Sequence, residues 1–310
     1  MSATATVVVP ATLTLDSSTA TSAYSEWNSG TSYSVGDRVL VSSGDVPTEY
    51  EAVASNSNKA PASNTDVWLR IGVSNPYRML DGRSSNATSK TDGFTATVSA
   101  SGRMTHVAFL GIDNATSITL SIEDGSGTTV DWEGADGEGT SAGSGTIALN
   151  DRASSTWSEY FFDGFGETKR AIVFVMAGWV ADPEVTFTLT GVGDVDLAHV
   201  IVGRSQQLGC TLYGVTTDLE SFSTREFDDF GTPTLIQRIS AQRTEVTLII
   251  DDGAADTLVR LRRQLDAVPA LWDMSNEYTH LRTYAFFESF DLEMYGYNET
   301  YVSIDLVEMT

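Results

Sequence analysis

The chain has 310 residues, 41% of them hydrophobic and 10% aromatic, enough apolar material for two or three domains that each bury a core. Against 42 Asp and Glu stand only 18 Lys and Arg, and the net charge of -24 repels phosphate backbones and anionic bilayers. Nucleic acid binding and membrane insertion are thereby excluded as expectations, and a single cysteine, Cys210, excludes an intrachain disulfide framework.

The N-terminal "TATVVV" and "TLTL" are Thr/Val-rich, are broken by Pro10, and predict one or two strands over residues 1–22. Residues 23–72 form an opening module of short strands, bounded by a Ser/Thr-rich linker before it and by "GVSNPYR" after it. Over 73–193 the pattern becomes a series of longer strands. "GFTATVSA" and "SITLSIED" alternate, "RMTHVAFLGI" is a continuous buried run, and "AIVFVMAGW" and "VTFTLTG" complete the set. Gly-rich turns separate them, which predicts a β-sandwich or jelly roll with the aromatic cluster "WSEYFFDGF" (157–165) packed across its mouth.

From 194 to 310 the expectation is a C-terminal β domain carrying one α-helix, a docking and oligomerisation unit. "AHVIVG" and "TEVTLIID" read as strands, the second with Glu245 and Thr247 on its polar face. In "AADTLVRLRRQLDAV" the spacing of Ala255, Leu258, Leu261 and Leu265 predicts a helix, with Asp252 as N-cap and Pro269 as its end. "RTYAFFESFDLEMY" and "TYVSIDLVEM" return to strands, and the apolar runs "TLIQRI" and "YAFFESF" fit either subunit contacts or sheet cores. The fold class is mainly β.

Little in these residues points to catalysis. HExxH, CxxC and GxSxG are absent, as is a glycine-rich phosphate loop before a helix, so neither an enzyme nor a cofactor is expected. "DDFG" (228–231) matches a kinase tripeptide without its companions. His106, His199 and His280 lie far apart and read as core or edge residues, and Cys210, lacking a His or acidic neighbour in sequence, reads as a buried structural thiol. In "DWEGADGEGT" Asp131, Glu133, Asp136 and Glu138 alternate in a way that suits a calcium ion, but EF-hand spacing fails, and a solvated acidic turn is the preferred reading. "MSATATVVVPATLTL" lacks the basic start and cleavage site of a signal peptide, so synthesis in the host cytoplasm without export is expected.

Two resemblances add to this. Trp27, the "GTSYSVGDRV" step (Gly30, Tyr33, Gly36, Asp37, Val39), Tyr50-Glu51-Ala52, Pro61 and Trp68 follow the order seen in chitin- and cellulose-binding modules, and residues 23–72 resemble that family. The resemblance implies a small three-stranded domain with Trp27, Tyr33, Tyr50 and Trp68 as its glycan-binding rings. Where the family carries exposed aromatics after the "YEA" strand, this chain has "VASNSN" (53–58), so the four rings fit a sugar platform or the module's own mini-core. The remainder resembles tailed-phage virion proteins of the tail tip or tail-fibre region. That likeness rests on the order of "SNPYRMLDGRSSNAT", "VAFLGID", "WSEYFFDGF", "HVIVGRSQQLGCTLYGV", "FSTREFDDFGTPTLIQR" and "VPALW". It implies a non-enzymatic structural part of a phage tail tip or baseplate, located in the virion, forming homo-oligomers and contacts with neighbouring tail proteins. The alternative is an adhesin whose main role is recognition of a host cell-surface glycan.

Overall fold

A computed structural model describes residues 3–83, 85–134, 140–149, 170–227, 233–238, 240–250, 252–275, 278–294 and 300–309. The protein is mainly β, and its paired strands are antiparallel. The chain opens with β1 (Ala3–Pro10) and β2 (Leu13–Ser18). The small module follows with β3 (Ser32–Tyr33), β4 (Arg38–Val41), β5 (Thr48–Ala52), β6 (Asn56–Ser57) and β7 (Trp68–Val73). Next come β8 (Thr88–Ala100), β9 (Arg103–Glu123), β10 (Trp132–Gly134), β11 (Thr140–Ser141), β12 (Ser144–Ala148), β13 (Ala171–Ala181) and β14 (Glu184–Thr211). The last part holds β15 (Thr216–Ser221), β16 (Thr224–Phe227), β17 (Pro233–Ile236), β18 (Ser240–Ile250), α1 (Ala255–Gln264), β19 (Ala270–Asp273), β20 (Arg282–Met294) and β21 (Thr300–Glu308). Among the described residues no helix is long and apolar enough to cross a membrane.

Two compact units emerge, one from residues 1–11 with 203–310 and the other from 12–202. The expected N-terminal stretch 1–22 is therefore divided between them, because β1 finds its partners some two hundred residues away. The expected boundary near 194 lies within β14, and the compact units divide at 203.

In the first unit β1 pairs with β14 on one side, Val9 opposite Arg204, and with β19 on the other, Val7 opposite Trp272. The path continues β19 to β20 to β21 to β18. β18 then returns to β14, with Cys210 opposite Ile249, so six strands close into a barrel. Alternation fills its interior: Val246, Leu248 and Ile250 point in while Glu245 and Thr247 stay exposed. The face of α1 expected to be apolar is so: Ala255, Leu258, Leu261 and Leu265 join Trp272 and Phe290 in one core. Trp272 donates its Nε1–H to the Ala285 carbonyl at 2.9 Å, which satisfies the one polar atom this ring brings inside.

The ends of α1 differ from expectation. Ala254 holds the N-cap position without a side-chain bond, after a 3-10 turn over Asp252–Ala254, so Asp252 is not the cap. The helix stops at Gln264, and Ala267 at φ 55 turns the chain before Pro269 is reached.

In the second unit β8 pairs with β2 and β14, β13 pairs with the first half of β9, and β12 with its second half. The alternation expected at 93–100 and 117–124 places Phe94, Ala96, Val98, Ile118, Leu120 and Ile122 inside, and 185–191, expected only as a strand, alternates likewise with Val185, Phe187 and Leu189 inside. Buried rings meet edge to face through the interior, from Phe94 to Phe187 (6.1 Å), on to Phe109 (4.8 Å), then Phe174 (6.0 Å) and Trp132 (4.9 Å). The cluster 157–165 and the "DDFG" run lie outside the described residues.

The segment "SNPYR", expected to bound the module, is a fastened turn. Asn75 donates its side-chain amide to the Ser89 carbonyl at 2.8 Å and accepts from the Ser89 amide at 2.9 Å. Thr88 donates its hydroxyl to the Asn75 carbonyl at 2.8 Å. Arg78 reaches back into the module and pairs at 3.0 Å with Glu49, whose carboxylate is buried and also accepts from Ser22. A buried carboxylate deprived of that partner is costly, so the pair holds the turn against the module.

Candidate functional site

The module's sheet is β4-β5-β7, with β3 and β6 as a separate ribbon. Its core gathers Tyr33, Val39, Ala52, Val67 and Trp68, with Trp27 and Tyr50 packed against it. Trp68 is only 2% exposed, meets Tyr33 edge to face at 5.2 Å and donates its Nε1–H to the Lys59 carbonyl at 2.9 Å. The Tyr33 hydroxyl accepts from the Asn28 amide at 2.8 Å. With both rings and their polar atoms engaged, neither offers a free face to a sugar. Trp27 and Tyr50 are half-buried, and the Trp27 Nε1 is enclosed without a partner. The large apolar side chains the module does expose, Val35, Val46, Val53, Leu69 and Ile71, are aliphatic, as "VASNSN" foreshadows.

The calcium candidate is only partly described. Asp131 and Glu133 are exposed on and beside β10, while Asp136 and Glu138 lie outside the described residues. Among the described residues no three His, Cys, Asp or Glu side chains gather as metal ligands. Asp124 sits in a tight turn, where the Ser126 hydroxyl, then the Thr128 amide, hold its carboxyl below the usual range. Cys210 is half-buried within β14 and not fully enclosed as expected, since the barrel seam is only two residues wide there. His199 is buried, His106 half-buried and His280 exposed.

The barrel unit carries a feature the sequence reading passed over. A surface cavity of about 310 Å³ is lined by residues of the 211–217 segment and, among the described residues beyond it, by Ser275, Tyr278, His280 and Leu281. Tyr213 is 94% exposed and Tyr278 56% exposed, and both line it. The Tyr278 ring leans on that of His280, centroids 5.7 Å apart. The available signal was "LYGV", an aromatic beside a glycine in a turn between two strands; Gly214 takes φ +108 there. Comparison with protein-family models, with curated proteins and with solved structures finds no match.

Proposed function

We propose that this chain is a structural component of a phage-like tail tip or baseplate, built into an assembly through its barrel unit. The ordered phrases that resemble those of tail proteins motivate the reading, and the edge of β15, a strand outside the closed six-strand ring, carries it. β15 takes main-chain partners from β18 alone among the described residues, and all six of its residues are exposed. The following β16–β17 hairpin leaves Leu235 69% exposed, with Ile236 also open to solvent. Of the two runs that fitted contacts or cores, the described residues 235–238 of "TLIQRI" are thus on the surface, whereas "YAFFESF" supplies Ala285 and Phe290 to the barrel interior.

An open strand edge invites pairing with another chain. Two β15 strands facing each other would bring Asp218 and Glu220 carboxylates together, which disfavours a self-complementary contact. The edge suits a different surface on the neighbour, and contacts of that heterologous kind build rings where the rotation closes and filaments where it does not. The exposed Arg260 and Arg263 of α1 offer charge of the complementary sign. Light scattering of the full chain at micromolar concentration should find an oligomer that loosens as salt rises, because exposed charge pairs are screened. A monomer at low and high salt, with no assembly when tail proteins are added, counts against the proposal.

A further inference from the structure

We infer that the open edge of β2, with the two cavities that border it, is a docking groove for an extended, basic peptide segment of another protein. The groove stands apart from the tail-tip reading and lies wholly within the second unit.

The main chain of β2 supplies the first part of the site. Among the described residues β2 pairs with β8 alone. The Ala100 amide of β8 donates to the Pro183 carbonyl at 3.1 Å, away from β2, whereas the Thr95 carbonyl accepts from the Thr19 amide at 2.9 Å, on the β2 side. Antiparallel ladders alternate, so the main-chain groups of Thr97 and Ser99 also face β2, while those of Ala96 and Val98 face β14. Leu13, Leu15 and Ser18 lie opposite Ala100, Val98 and Ala96, and their own N–H and C=O groups therefore point outward. A row of such groups takes an added strand by main-chain hydrogen bonds.

The side chains along the edge select the segment. One cavity, about 260 Å³, is lined by Leu13, Leu15, Val46, Val73, Tyr77 and Leu80, and this apolar wall suits an aliphatic side chain. The other, about 460 Å³, shares Leu15 and Tyr77 with the first and adds the hydroxyls of Ser17, Ser18, Thr21 and Tyr24. Exposed carboxylates border both, Asp16 at the larger and Asp45 at the smaller. Asp81, also at the smaller, already accepts from the Arg83 main-chain amide and the Asn86 side-chain amide. Arg38, which donates to the Tyr24 hydroxyl, is paired with Glu51, and Arg78 is paired with Glu49. Asp16 and Asp45 are thus answered by a Lys or Arg brought in by the segment, and the net charge of -24 steers such a segment inward. Side chains of an extended chain alternate, so a run of alternating aliphatic and basic residues meets the apolar wall and the carboxylates together.

The test is a library of peptides six residues long, the length of β2, in which Lys or Arg alternates with Val, Ile or Thr, titrated against the full chain by fluorescence anisotropy. Basic members should bind, and their counterparts with Glu at the basic positions should not. Methylating alternate peptide nitrogens of the best binder should weaken it about tenfold, because the ladder donors are lost. Leu15→Pro removes an outward N–H while sparing the bonds to β8, and should weaken the same peptide about tenfold. Asp16→Asn should weaken it about threefold at low salt and leave thermal unfolding unchanged. On binding, hydrogen exchange should slow at the Leu13, Leu15 and Ser18 amides of the parent chain, a readout that decides the matter if Leu15→Pro disturbs the fold. Failure of every basic member, equal binding of the Glu counterparts, or protection at β15 and not at β2 overturns the groove. Peptide binding by a chain absent from particles would overturn the tail reading alone.

Discussion

Trp68 shows how one residue changes meaning between sequence and fold. Its type and place in the family order fit a sugar platform, yet its ring is enclosed and its indole N–H is bound to Lys59. Type and order are legible in a sequence, whereas which face of a ring meets water depends on strands that arrive later in the chain. Trp68→Ala should therefore cost about 3–5 kcal/mol through the cavity it leaves, read as a fall in the denaturant midpoint, and not as a loss of binding in a folded protein. His199 gives a second prediction at this scale. Burial lowers its pKa, against a smaller raising pull from the Asp81 carboxylate. The unfolded chain, with an imidazole near ~6.5, takes up a proton before the folded one as pH falls. Stability from this group is thus intact above roughly pH 6.5 and declines below it. Denaturant midpoints measured at about pH 7.5 and 5.5 should differ in that sense, and His199→Gln should narrow the gap.

The elements that depend on local pattern are the ones legible in the sequence. Strict alternation over 93–100 places Phe94, Ala96 and Val98 inside, and helical spacing places Leu258, Leu261 and Leu265 against the barrel. Elements whose partners are remote were not legible. β1 has a Thr/Val strand signature but no mark of the two strands that flank it. "SNPYR" marks the end of the module in the sequence, but the bonds from Asn75 to Ser89 and from Arg78 to Glu49 that fasten it there are not legible. The end of α1 was misplaced because Ala267 adopts positive φ, a conformation a non-glycine residue seldom advertises. Since Leu261 joins α1 to the barrel interior, Leu261→Ala should destabilise the protein by about 2–5 kcal/mol. Unchanged thermal unfolding of that variant would mean that α1 is not part of the barrel's core.

At the scale of the whole molecule, a strongly acidic chain combines a closed barrel with a second stranded unit, whose small module keeps Tyr33 and Trp68 in its own core. The barrel unit carries β15, which among the described residues pairs with β18 alone, and the proposed assembly contact is placed there. The decisive measurement is cryo-electron microscopy of particles purified from the host that encodes the chain, with mass spectrometry of the same preparation. Assignment to a tail tip predicts that the chain is present in stoichiometric amount, as a ring at the tip with β15 of one copy against a different surface of its neighbour. Particles that lack the chain, or that carry it as isolated single copies with β15 open to solvent, would contradict it.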